Sequence, residues 1–281
     1  MKKCIVLCAD DYGQAPAISE GIIQLLKHQR LSAVSCMVNT DYWVQHAPSL
    51  IPFHEQADIG LHFNLTHGKP LSIEYINKHG DEFSSVGKVM LRAYMRAFSQ
   101  QAIEAELHAQ IDKFVEALGF LPDHIDGHQH IHQFPVIREA IIKVYDQRLR
   151  DKKTYIRLIS GPPPLREIFT HFKKMVIHAA GAKTMAKLLT ENKIPHNQTF
   201  SGIYAFNLAK DYPEYFPQFL QAVKDNGLIM CHPGLLATEA QDSIAAARYQ
   251  EYDYLSGEQF IADCRANMVA IKRFKCSDNL L

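Results

Sequence analysis

The 281-residue chain has no charge surplus: 30 Lys and Arg balance 30 Asp and Glu. Proteins that grip nucleic acid or anionic lipid through phosphates carry a basic excess, so neither partner is expected here. No apolar run is long enough to span a bilayer. The start, MKKCIVLCADD, imitates a secretory signal only briefly, because its apolar run from Cys4 to Ala9 is short and ends in two carboxylates. The six cysteines form no C-x-x-C pair, which removes zinc ribbons and thioredoxin-like motifs. Free thiols in a reducing compartment are expected instead, and with them a cytoplasmic location. Internal repeats and low-complexity tracts are absent. Apolar residues make up 47% of the chain and charged residues 21%, the mix of an ordinary globular protein.

What is abundant is histidine, at 15 residues. Imidazole is the commonest neutral metal ligand and the side chain best suited to proton transfer near neutral pH.

Short apolar runs alternate with longer amphipathic stretches. Strands are predicted at Cys4–Ala9, Ala33–Val38, Ala57–Phe63, His124–His128, Tyr155–Ile159, Leu228–Cys231 and residues 270–274. Helices are predicted at residues 16–30, where Pro16 suits a first turn, and at 99–118, 136–149 and 257–269. The 99–118 helix is the clearest: Ile103, Leu107, Ile111, Phe114 and Leu118 share a face, and Gly119 serves as its C-cap. Such alternation implies an α/β fold with a largely parallel sheet, open or closed into a barrel, in a single domain over residues 1–281. Two stretches break the rhythm. Residues 64–98 read as an excursion over one mouth of the sheet. Residues 161–200 open with Gly-Pro-Pro-Pro and hold a basic helical segment containing His171, Lys173, Lys174, His178, Lys183 and Lys187.

In parallel α/β folds, functional groups gather at the carboxyl ends of strands. Asp10 and Asp11 follow the first strand, His62 ends the third, His128 ends the fourth and His232 follows the late one. Two adjacent carboxylates in a partly dehydrated pocket need a cation or a shared proton, whereas an Asx turn or helix cap ahead of Pro16 would explain only one of them. His62 alone would read as a buried core histidine. In the run from His124 to His132, Asp126, His128, His130 and His132 share strand parity, so several would face one side. One carboxylate (Asp10 or Asp11) with two histidines leaves room on a cation for water and substrate, the other carboxylate can act as base, and an imidazole across the pocket as acid. Metal-assisted hydrolysis is the implied reaction. The same ligand types also suit a non-haem Fe(II) oxygenase or a metal-dependent phosphoesterase or amidohydrolase. A non-catalytic sugar-binding protein would not need Asp10, Asp11 and His232 together.

These residues lie in blocks that resemble one family. Ala9-Asp10-Asp11-Tyr12-Gly13, Gly60-Leu61-His62-Phe63-Asn64-Leu65-Thr66-His67-Gly68-Lys69-Pro70, the His124–His132 run with Phe134-Pro135, and Cys231-His232-Pro233-Gly234 occur in that order. In this the chain resembles the YdjC-like carbohydrate deacetylases, which include chitooligosaccharide deacetylases. The resemblance implies a deformed (β/α) barrel and hydrolysis of an N-acetyl group from an amino sugar with one divalent cation, Mg or Zn. By position it implies Asp11, His62 and His128 as metal ligands, Asp10 as base and His232 as the acid toward the departing amine. It also points to Arg157 as a residue steadying Asp10. Tyr12, Asp126, His130 and His132 are further candidates to touch substrate or orient the ligands. Tyr12 stands where the family commonly has Phe, and Gly127 where Ser is often found. The expected partner is an acetylated amino sugar, with a homodimer left open.

Overall fold

The computed structural model describes residues 2–160, 181–206, 211–236 and 242–274. Its centre is β1, Lys3–Tyr12, buried from Ile5 onward. Apolar residues on both faces of a strand demand cover on both sides, which a parallel sheet under helices provides. β1 pairs in parallel with β2 (Ala33–Cys36) along one edge and with β7 (Gly227–Cys231) along the other. The start of β1 also takes β8 (Val269–Ile271); Ile5 pairs with both Gly227 and Ile271, so β8 lies on the β2 side. With β3 (Asp58–Phe63), β4 (His124–Gly127), β5 (Tyr155–Ile156) and β6 (Phe200–Ser201), the order is β5-β4-β3-β2-β1-β7-β6, every pair parallel.

The two end strands approach each other without a regular ladder. Ile156 bridges to His196, Phe200 N–H donates to Ser160 C=O at 3.1 Å, and the Asn197 amide accepts from Leu158 N–H and donates to Leu158 C=O. The strands thus curl into a deformed (β/α) barrel. Side-chain alternation sorts the residues of β1 between two layers. Ile5, Leu7 and Ala9 pack outward in the large apolar cluster with Ile18, Ile22 and Leu25 of α1 (Pro16–Lys27). Val6 and Cys8 point inward with Tyr155, Phe200, Leu228 and Met230.

Among the described residues the other α-helices are α2 (Trp43–His46), α3 (Ile73–His79), α4 (Val86–Tyr94), α5 (Gln100–Leu118), α6 (Ile137–Arg148), α7 (Ala182–Glu191), α8 (Tyr212–Ala222), α9 (Ala245–Ser256) and α10 (Glu258–Ala266). Ser99 caps α5 by accepting from Ala102 N–H, and Gly119 ends it in the left-handed region at φ 81°. The 64–98 excursion contains α3 and α4.

The differences from the sequence reading have local causes. The strand expected at Tyr155–Ile159 ends at Ile156, because Leu158 gives its backbone groups to the Asn197 side chain instead of a neighbouring strand. The fourth strand stops at Gly127. His128–Gln133 is a 3₁₀ turn with Gln129 and His130 in left-handed conformations, so the parity expected for His128, His130 and His132 does not hold. Much of the basic segment expected within 161–200 lies outside the described residues; of it, Lys187 on α7 pairs with Glu191 at 3.7 Å. Cys4, Cys8, Cys36, Cys231 and Cys264 are free thiols. Among the described residues, no helix is long and apolar enough to cross a membrane.

Two glycines make room for histidines inside the barrel. A Cβ on Gly60 would fall 2.3 Å from the ring of His124, which is fully buried and stacked on Tyr155. A Cβ on Gly127 would sit 2.9 Å from His132 N. Gly60→Ala should therefore destabilise the protein by about 1–3 kcal/mol through overpacking, read as a lower urea midpoint at unchanged slope.

Candidate metal and catalytic site

Asp10 and Asp11 are consecutive, and on a regular strand they would face opposite layers. They do not, because β1 is bulged. Ala9 pairs with Val34 and Tyr12 with Cys36, so one extra residue is inserted in β1, and Asp11 adopts φ 69°. Bulges re-aim side chains in this way, and Asp tolerates the left-handed region better than most residues. Asp10 keeps the inward parity of Val6 and Cys8, while Asp11 is turned back toward the same interior.

Asp11 Oδ1 lies 3.3 Å from His62 Nε2 and 3.0 Å from His128 Nδ1. One donor atom from each of these three residues falls in a single group within 4.8 Å. The other face of His62 is fixed: Nδ1 meets Asp126 Oδ1 at 2.6 Å, and that oxygen also accepts from Ser35 Oγ at 2.5 Å. With Nδ1 committed to Asp126, Nε2 is the nitrogen that faces Asp11 and is left to bind a cation once its proton is displaced, the arrangement that orients imidazole ligands in metalloenzymes. Burial alone would lower the His62 pKa, but Asp126 and then Asp10 outweigh it and draw it up to about 10. For Asp11, burial opposes the charge, yet Arg248 and then His128 hold its carboxyl well below the usual range. A carboxylate oxygen and two imidazole nitrogens converging in a pocket that attracts positive charge form a donor set that fits one divalent cation.

Beside this group, Arg157 grips Asp10 with two prongs, Nη1 to Oδ2 at 2.7 Å and Nη2 to Oδ1 at 2.6 Å. Its Nη2 also stands 2.5 Å from Asp126 Oδ2. His232 Nε2 lies 3.9 Å from Asp10 Oδ2, and the ring meets Phe206 edge-on at 5.0 Å. Burial pushes the His232 pKa down to about 4, so the ring is neutral at pH 7. A second candidate group, Cys8, His124 and Asp126, suits a cation less well. Arg157 already stands against Asp126, and burial keeps the Cys8 thiol protonated.

The remaining candidates occupy varied places. His132 donates from Nε2 to Arg157 C=O at 3.0 Å, and burial lowers its pKa to about 4, so it props the segment that carries Arg157. His130 is buried, edge-on to His132 and Phe200. Tyr12 departs from expectation. The bulge is complete by Tyr12, whose fully buried ring joins the outer apolar layer and whose Oη donates to His46 C=O at 2.7 Å, so it does not line the pocket.

Sequence reading missed Ser35, Arg248 and Glu251. Arg248 Nη2 donates to Asp11 Oδ2 at 2.7 Å, and its Nε to Asp242 Oδ2 at 2.6 Å. Glu251 accepts from His232 N–H at 2.5 Å and from Tyr204 Oη at 2.6 Å. The available signal was the charged inward face of α9, where Arg248 and Glu251 sit three residues apart beside Ala247, Tyr254 and Leu255.

A family model described as YdjC-like protein matches residues 4–266, and the chain belongs to that family. It is 28% identical to a chitooligosaccharide deacetylase of Yersinia enterocolitica, over 84% of this chain and 83% of that protein. It is 24% identical to a carbohydrate deacetylase of Clostridium beijerinckii, over 96% of this chain and 98% of that protein. A solved structure from Enterococcus faecalis, titled as a proposed cellobiose-phosphate cleavage protein, superposes with a TM-score of 0.75. It is 18% identical, over 97% of this chain and 98% of the other, and shares the fold.

Two outcomes follow from the charge network. Arg157→Ala strands Asp10 and Asp126 with one counter-charge fewer and should cost about 3–5 kcal/mol in urea unfolding, since breaking a buried pair leaves a desolvated charge. Burial raises the Glu251 pKa to about 7, against the lowering pull of Tyr204, the His232 N–H and Arg248. A carboxyl raised on folding contributes stability that is full below its unfolded value and is lost as pH rises through about 7. Relative to Glu251→Gln, the parent protein should therefore lose stability between pH 5 and pH 8, measured by thermal unfolding at each pH.

Proposed function

We propose that this protein is a metal-dependent carbohydrate N-deacetylase acting on N-acetylglucosamine-containing oligosaccharides. The observation that carries the reading is the convergence of Asp11 Oδ1, His62 Nε2 and His128 Nδ1, with Asp10 and His232 beside them. The names of its relatives supply the substrate class. A divalent cation such as Mg or Zn, held by Asp11, His62 and His128, would polarise an acetamide carbonyl and make water more acidic.

The chain's own groups do the rest. Asp10 accepts the proton of the attacking water, and Arg157 holds both its oxygens in place while neutralising the charge of the resting carboxylate. Each oxygen keeps a further lone pair for that proton. His232 protonates the departing nitrogen, since an amide nitrogen leaves only as an amine. The ring is neutral at pH 7, so the proton has to arrive during the reaction; Asp10 Oδ2, 3.9 Å from Nε2, would hand it over through one water or on closing to hydrogen-bond distance. An oxygenase shares the ligand types but needs no such base and acid pair. The free thiols support a cytoplasmic setting, and the family match over residues 4–266 supports one domain.

Incubation of metal-loaded protein with di- and tri-N-acetylchitooligosaccharides should release acetate and free amine in equal amounts, and chelation should abolish this. Asp10→Asn should lower kcat by about 10²-fold or more with the metal Kd retained. Failure on every acetylated sugar, or full activity of Asp10→Asn, defeats the reading.

A further inference from the structure

α9 (Ala245–Ser256) runs past both halves of the site. Its inward face carries charge where an ordinary helix would bury a stripe of apolar residues. Arg248 is 3% exposed and Glu251 fully buried, a placement that costs solvation unless each has a specific partner. The partners are the two functional segments. The Arg248 guanidinium takes the Asp11 oxygen that faces away from His62 and His128, leaving Oδ1 as the one directed at the imidazoles. Asp242 Oδ2 and Gln14 Oε1 hold the same guanidinium from behind, at 2.6 and 3.2 Å. Three residues along, Glu251 accepts the backbone N–H of His232, and its other oxygen is held by Tyr204 Oη. Gly234 N–H donates to Arg248 C=O at 3.1 Å, so the His232-Pro233-Gly234 turn is tied to α9 at two points.

We propose that α9 is the positioning element of the site, Arg248 fixing the Asp11 carboxylate as a one-oxygen ligand and Glu251 fixing the backbone from which the His232 ring reaches Asp10. Neither residue touches the reacting atoms; each acts through its neighbour. The inference rests on the deacetylase reading and adds a division of labour. Glu251 serves departure of the amine, and Arg248 serves the metal ligand and the attacking water.

That division is testable with two substrates. N,N′-diacetylchitobiose needs a proton on its leaving nitrogen, whereas p-nitrophenyl acetate expels an aryloxide that needs none. Glu251→Ala should lower kcat on the sugar amide by about 10²-fold at near-constant KM, yet stay within about threefold on the ester, matching the pattern of His232→Ala. Glu251→Gln keeps an acceptor oxygen for the His232 N–H and should restore most of the amide rate. If Glu251→Ala does not fold, Glu251→Asp, which withdraws the acceptor by one methylene, is read in the same pair of assays. Arg248→Ala should slow both substrates together and weaken Co²⁺ binding, measured by calorimetry on the metal-free protein, by about 10–100-fold. Equal loss on amide and ester in the Glu251 variants, or no loss on the amide, overturns the role of Glu251. An unchanged Co²⁺ Kd in Arg248→Ala overturns that of Arg248. Should His232→Ala itself fall equally on both substrates, the proton-donor assignment fails first, and that result is distinct from a failure of the helix.

Discussion

One inserted residue in β1 decides the character of the barrel interior. Without the bulge, Asp10 would face inward and Asp11 would be driven into the apolar layer under α1. With Asp11 at φ 69°, both carboxylates enter one desolvated space, and the structure around them answers that concentration of negative charge. Arg157 comes from the end of β5 to Asp10 and Asp126, Arg248 from α9 to Asp11, and His62 and His128 from the ends of β3 and β4. Each contact is intelligible as compensation for a carboxylate that could not otherwise remain ionised when buried.

The network is also layered, in that the groups nearest the pocket are held by others that do not reach it. Ser35 and Asp126 set the face of His62 that points away from Asp11, His132 supports the backbone of Arg157, and Glu251 takes the N–H of His232. Buried polar groups of this kind contribute little net stability compared with apolar packing, and their value lies in geometry. The glycines at 60 and 127 belong to the same design, because the rings of His124 and His132 fill the volume that a Cβ would take. At Gly127 a serine side chain would collide with His132.

Much of this was legible in the chain. Apolar runs located the strands that matter, the 99–118 periodicity gave α5 to within a residue, and the polar residues following those runs marked Asp10, Asp11, His62, His128 and His232 as neighbours at one end of a parallel sheet. Strand parity holds where the backbone is regular, at Val6, Cys8 and Asp10, but the parity expected for His128, His130 and His132 failed where it is not. It could not foresee the bulge at Asp11 or the left-handed pair Gln129 and His130, because neither residue type nor hydrophobic period marks where a backbone leaves regular strand geometry. Tyr12 was misplaced for the same reason. Arg248 and Glu251 were overlooked because a charged residue on a helix is ordinarily solvated, and only packing shows which side of the helix faces the sheet.

The residue types and their order along the chain determined a parallel α/β body with carboxylates and imidazoles at its strand ends, since hydrophobic period and strand-end chemistry are local properties. Which oxygen of Asp11 faces the imidazoles, that Arg157 reaches Asp126 as well as Asp10, and which helix braces the rim were decided only by tertiary structure. Those outcomes depend on distances of a few ångströms between segments up to 237 residues apart, and Coulomb and hydrogen-bond energies at that range are set by packing, not by sequence neighbours.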